Sequence, residues 1–207
     1  MASSPWTCSR SRKGFSFPHD GGCQSMDQAL ITDTSVLLNI LATGCADEIF
    51  GDAGWSFSVC RAVLKETLLL RNRDTQECCP ADLAPFVERR LLTVLEIAGD
   101  AEYELLADFT ALMGRKGDGE AMCFALAESR SLPLAIDDER AVKRAKQRFQ
   151  ELTVLSTPDI LQSWQRIMKL EAQRMGGVLK RIQTWANYFP GSRHPAYAWW
   201  QSQLAAA

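Results

Sequence analysis

Five carboxylates stand near expected helix starts, strand ends or helix faces: Asp33, Glu66, Glu120, Asp137 and Asp138. The chain has only two His, and its seven Cys form no C-x-x-C pair, so a zinc-type set of nitrogen and sulfur ligands is not indicated. Carboxylates gathered without imidazole or thiolate make a hard-oxygen donor set, which suits Mg²⁺ or Mn²⁺. Such an ion polarises a phosphoryl oxygen and activates water for in-line attack on a phosphodiester. With no cation the same carboxylates would repel one another, and some would keep their protons. Each also has a plain structural explanation. Asp33 ends a strand at a turn where Thr34 or Ser35 can cap the following helix, and Asp137-Asp138 could cap the next one. Glu120 near a helix start gains about 0.3–1 kcal/mol from the helix dipole. Glu66 could be an ordinary exposed helix residue. What sets them apart from chance is their order along one alternating pattern.

To meet at one place, these groups need a sheet whose strands end together. An apolar run at 29–31 reads as a buried strand ending at Asp33, and a helix is expected over 34–43, closed by Gly44. A helical turn over 45–50, a strand over 55–59 and a helix over 61–71 carrying Glu66 come next. Residues 72–80 read as a polar loop, 81–90 as a helix and 91–97 as a strand. The stripe Tyr103, Leu105, Leu106, Phe109, Leu112 and Met113 predicts a helix over 100–113. A break over 114–119 precedes a helix over 120–129, a strand over 132–136, a basic helix over 138–149 and a strand over 152–155. A last helix starts at Pro158. Strands alternating with helices predict an α/β sandwich around a mainly parallel sheet. In such sheets ligands bind at the carboxyl ends of the strands, where Asp33 and Asp137-Asp138 would both lie.

The motifs in this order resemble those of the PIN-domain nucleases, widespread as bacterial toxin–antitoxin ribonucleases. Ile31-Thr32-Asp33-Thr34-Ser35-Val36-Leu37 is similar to their first motif, and Phe57-Ser58-Val59 running to Glu66 to the second. Gly119-Glu120-Ala121 with Ala125-Leu126-Ala127 resembles the third, and Leu134-Ala135-Ile136-Asp137-Asp138-Glu139-Arg140-Ala141 the fourth. The resemblance covers residues 28–162 and departs at Ile136, where many members carry Thr or Ser. It implies a PIN-like three-layer sandwich and a Mg²⁺- or Mn²⁺-dependent endonuclease that cleaves with water and no covalent intermediate. Asp33, Glu120, Asp137 and Asp138 would hold the metal, with both members of the Asp pair kept as the fourth acid. Glu66 would complete the site or orient the attacking water. RNA is the favoured substrate and an inhibitory antitoxin the implied partner. Two other readings stand beside this one. The first is a partner-controlled effector acting on DNA or tRNA in a multi-protein phage-defence system. The second is a catalytically silent PIN-like scaffold. Whether the chain forms a homodimer stays open.

Charge and composition frame these expectations. The net charge of −2 divides into +2 over residues 1–25, +5 over 160–207 and so −9 over the body between them. An acidic body with basic ends suits a carboxylate site flanked by arms for a polyanion. Arg140, Lys143, Arg144, Lys146 and Arg148 follow the fourth motif, and Arg140, Lys143 and Arg144 are the candidate phosphate contacts. Spacings of three and four place Arg140, Lys143 or Arg144, and Arg148 near one helix face. Three units are expected: a disordered arm over 1–25 before a start at Met26, a nuclease domain over 26–162, and a helical and aromatic extension over 163–207. In the last, a continuing or second helix over 162–179 is expected to break at Gly176-Gly177. Its Trp185, Tyr188, Phe189, Tyr197, Trp199 and Trp200 would either strap onto the body or dock a partner or single-stranded nucleic acid. Cys45, Cys60 and Cys123 lie in apolar stretches as small core residues. The odd number of cysteines and the lack of a secretory leader imply a cytoplasmic location, and no run is long enough to span a membrane.

Overall fold

The computed structural model describes residues 28–66, 68–114 and 118–207. The arm over 1–25, the start at Met26 and residues 115–117 of the expected break lie outside the described residues.

The chain enters on β1 (Gln28–Thr32), with Leu30, Ile31 and Thr32 all buried. A strand covered on both faces needs apolar residues in succession, so it reads as a run and not as an alternation. Next come α1 (Thr34–Ala42), α2 (Ala46–Asp52) and β2 (Trp55–Cys60), which pairs parallel to β1. A short α3 (Arg61–Leu64) leads to an antiparallel hairpin of β3 (Leu68–Arg71) and β4 (Cys78–Ala81). Then α4 (Ala84–Glu88) and β5 (Thr93–Leu95) follow, the latter parallel to β2. Through α5 (Asp100–Met113) and α6 (Asp118–Arg130) the chain returns to β6 (Leu134–Ala135), on the free side of β1. α7 (Glu139–Lys146) and β7 (Val154–Leu155) complete the sheet, and α8 (Thr157–Met168), α9 (Ala172–Trp185) and α10 (Tyr197–Ala205) end the chain.

The result is an α/β fold with a five-stranded sheet, ordered β5-β2-β1-β6-β7 and parallel at every step. α5 packs with α6 and α7, while α1 packs with α2, α8 and α9, and α10 packs on α9. The arrangement is compatible with a three-layer sandwich. Strand order runs outward from β1 in one direction and then, after α6, in the other. Between the carboxyl ends of β1 and β6 therefore lies a topological switch point, the place where helices diverge and leave a crevice.

Three local expectations are corrected. The helix over 61–71 is instead four residues of α3, a turn at Lys65-Glu66, and β3. Leu68 and Leu70 turn inward while Leu69 is exposed, a period of two that α-helical packing could not satisfy. Its partner β4 takes the last three residues of the stretch expected as a loop and the first of the helix expected after it; Asn72 Oδ1 accepts from the backbone N–H of Asp74 and Thr75 and closes the intervening turn. At the other end, α9 runs straight through Gly176-Gly177, and the break falls earlier, at left-handed Lys169 (φ 51°).

The boundary expected at 162 falls inside α8, and the extension shares the core of the body. Trp164 and Trp200 are fully buried together with Met175, Leu179 and Ile182. Gly176 explains how α10 comes so near. A Cβ there would fall inside contact distance of the Gln203 carbonyl oxygen and 2.5 Å from Ala207 Cβ, whereas a Cβ at Gly177 meets nothing within 4 Å. Adjacent glycines in one helix should therefore respond oppositely. Gly177→Ala should raise stability by about 0.5–1 kcal/mol through helix propensity, and Gly176→Ala should lower it by forcing α10 outward. Thermal melts of the two variants decide this; a gain at both positions would mean that α10 does not press on α9.

Candidate active site

Asp33 follows β1 at the switch point, and its backbone N–H donates to Ala135 O of β6 (2.9 Å). The expected cap from Thr34 or Ser35 is replaced by one from Asp33 itself. Its Oδ2 accepts from Ser35 N–H (3.1 Å) and from Ser35 Oγ (2.8 Å), with an extended backbone at φ −78°, ψ 161°. The two hydroxyls thus do other work. Thr34 Oγ1 donates to Glu66 Oε2 (2.7 Å), and Ser35 Oγ accepts from Asp137 N–H (3.3 Å). Asp33 is buried, and that desolvation pushes its carboxyl above the usual range against the pull of the Ser35 bonds, with Glu66 adding repulsion.

Glu66 is exposed in the turn after α3. Its Oε1 occupies the space where a Cβ of Gly119 would stand, so glycine at the second position of α6 is what admits the carboxylate. Glu120, next along α6, is half-buried. Burial raises its carboxyl first, then the charges of Asp33 and Asp138, with Glu66 adding a smaller push and Arg144 opposing them. The helix that carries it is tied to α5 by Arg130, whose Nε and Nη2 donate to Glu102 (2.8 and 3.0 Å) and hold that carboxyl down to about 2.

The two aspartates after β6 part company. Asp138 is exposed and caps α7, with Oδ1 accepting from the N–H of Arg140 (2.8 Å) and Ala141 (2.9 Å). Asp137 instead takes four bonds from remote elements. Oδ1 accepts from Thr157 N–H (2.9 Å) and Tyr188 Oη (3.1 Å), and Oδ2 from Asn39 Nδ2 (2.8 Å) and Thr157 Oγ1 (2.5 Å). Burial raises its carboxyl while those donors lower it. With both oxygens bonded, Asp137 joins α1, α8 and the C-terminal segment; Asp138 is the member of the pair whose charge Glu120 feels. Asp33, Glu66 and Asp138, from three separate segments, are the acids whose charges Glu120 feels, while Asp137 reaches Asp33 through Ser35 Oγ.

Compared with protein-family models, with curated proteins and with solved structures, the chain matches none. Its chemistry must be read from the site. The acids themselves bring oxygen donors, a set that suits a hard divalent cation. Among the described residues, however, no three Asp, Glu, His or Cys side chains stand close enough together to enclose an ion. Cys60 and Cys123 are buried behind the site with their sulfurs 3.7 Å apart, as core residues.

The basic residues of α7 divide in a way that spacing alone does not fix. Arg144 lies toward Glu120, Arg148 pairs with Asp108 (2.7 Å), and Arg140, Lys143 and Lys146 line a groove of about 840 Å³. Asn39, Thr157 and Tyr188 were not expected at the site. The one sequence signal was Asn39, a buried amide in an otherwise apolar helical run, which had to find a polar partner.

Proposed function

We propose that the chain is a PIN-like nuclease that hydrolyses phosphodiester bonds of RNA with Mg²⁺ or Mn²⁺. The observation that carries this is the gathering of Asp33, Glu66, Glu120 and Asp138 at the switch point of a parallel sheet. There Asp33 and Glu120 are held above their usual range by burial and mutual repulsion, and Arg144 is the cation acting against that repulsion at Glu120. Burial and like-charge repulsion both work against the ionised form of Asp33 and Glu120, and a bound cation would relieve both.

When bound, the ion would polarise the phosphoryl oxygen and supply hydroxide near neutral pH. Asp33, Glu120 and Asp138 would hold it. Asp33 and Asp138 are fixed as the caps of α1 and α7, while Glu120 ends a flexible side chain that could close on the ion without backbone movement. Glu66, steadied by Thr34 Oγ1, would orient the attacking water and accept its proton at the carboxylate. Asp137, with both oxygens bonded to Asn39, Thr157 and Tyr188, would position the β6–α7 turn.

The test is direct. The purified chain should cut labelled single-stranded RNA with Mn²⁺ or Mg²⁺, stop with EDTA, and show a rise in melting temperature with the ion. No cleavage and no metal-dependent shift would overturn the proposal. A second expectation isolates Glu66: Gly119→Ala meets only the end of that side chain within 3 Å, so it should leave the melting temperature close to wild type and displace the carboxylate. Cleavage should fall about 10²-fold, the scale of losing a positioned base; undiminished cleavage would remove Glu66 from the site.

A further inference from the structure

The groove beside the acidic cluster has two walls of different origin. One is the face of α7 that presents Arg140, Lys143 and Lys146, exposed and without ion pairs among the described residues. The other comes from the C-terminal segment after α9, namely Tyr188, Phe189, Pro190, Gly191 and His194. Asp138 also lines it, connecting the groove to the acids, together with Glu139 and with Asp137 and Asp159, whose carboxylates already accept bonds from Thr157 and Ser156. A second groove of about 600 Å³, lined in part by Arg71, Arg73 and Trp185, continues from it across Ser35 and Tyr188.

Phe189 is the unusual residue of this wall. It is 57% exposed, while its neighbours are anchored: Tyr188 donates to Asp137 and sets its ring edge against Trp200 (5.8 Å), and Pro190 is buried. Asn187, left-handed at φ 52°, turns the chain out of α9 so that the three residues cross the site. A large apolar ring held out in water between two fixed neighbours loses little freedom when something covers it. The same groove is lined by Arg140, Lys143 and Lys146, which form no ion pair among the described residues. A polyanion with flat apolar faces is what satisfies both walls at once, because bases stack on an aromatic ring while phosphates meet the lysines and arginine.

Building on the nuclease reading above, we propose that Phe189 is the base-stacking platform of a groove for single-stranded RNA, with Arg140, Lys143 and Lys146 as its phosphate-binding wall. Duplex RNA keeps its bases stacked on one another and cannot use the platform.

Binding measured in EDTA tests this separately from cleavage. Fluorescence anisotropy with a labelled oligouridylate and with a duplex of equal length is compared for wild type, Phe189→Ala and Phe189→Trp. The alanine variant should weaken single-strand binding by roughly tenfold, the scale of one base–aromatic stack, and leave duplex binding unchanged. Phe189→Trp should restore the single-strand affinity. Lys143→Ala with Lys146→Ala should flatten the dependence of log affinity on log salt by about 0.7 per charge removed. Unchanged single-strand affinity in Phe189→Ala, an equal loss on duplex, or no binding by wild type would each overturn the groove. Phe189-dependent binding by a wild-type chain that never cleaves would uphold the groove and sink the nuclease reading instead.

Discussion

Asp33→Asn should abolish Mg²⁺- or Mn²⁺-dependent RNA cleavage while leaving the metal-free protein at least as stable as wild type at neutral pH. The amide keeps the shape of the side chain and can still accept from Ser35 N–H and Oγ through its own oxygen, so the cap of α1 survives. The negative charge is lost, and with it the rigid ligand of the proposed ion. Stability responds with a definite sign. The carboxyl of Asp33 lies above its ordinary 3.8 in the folded chain, so the folded state holds that proton more tightly than the unfolded one. The stability it contributes is complete below the ordinary value and is lost as pH rises through the folded one. Asp33→Asn has no such loss. Its melting temperature in EDTA, relative to wild type, should therefore climb from acid toward neutral pH. Added Mn²⁺ should reverse the order by stabilising wild type alone. A variant that still cuts RNA, or that gains as much as wild type from the ion, would show that Asp33 is no ligand.

Removing residues 187–207 should have the largest effect on folding of any change considered. Trp200 is fully buried against α9 and neighbours Tyr188 and Trp199, and Trp199 Nε1 donates to Gln165 Oε1 (2.9 Å) on α8. Tyr188 also supplies one of the four donors to Asp137. Deletion uncovers Met175, Leu179 and Ile182 and leaves a buried carboxylate short of a partner. Trp200→Ala by itself should cost about 3–5 kcal/mol, a large part of the ~5–15 kcal/mol by which domains are stable. Urea unfolding would measure the point variant, and the truncated chain should be largely unfolded or molten by near-UV circular dichroism. A truncated protein with an unchanged midpoint would mean that the segment adds nothing to the core and serves only for docking.

Much of the framework was legible before any coordinates. Ala29–Ile31 read as a buried strand, the stripe from Tyr103 to Met113 had helical period, and Gly44 stopped a helix where a positive φ was required. The places of Asp33 and Glu120 followed from these, since a residue at a strand end or helix start has little freedom to be elsewhere. Where local preference was balanced, the tertiary structure decided. Leu68–Leu70 suits a helix or a strand, and only pairing with Cys79 to Ala81 selects the strand. Gly176-Gly177 would end a lone helix, but α10 needs the missing Cβ in order to approach, and that packing carries α9 through. The choice between Asp137 and Asp138 was beyond the sequence for the same reason. Adjacent side chains at a strand end point in different directions, and Asn39, Thr157 and Tyr188, all far along the chain, are the donors that claim one carboxylate and leave the other facing Glu120.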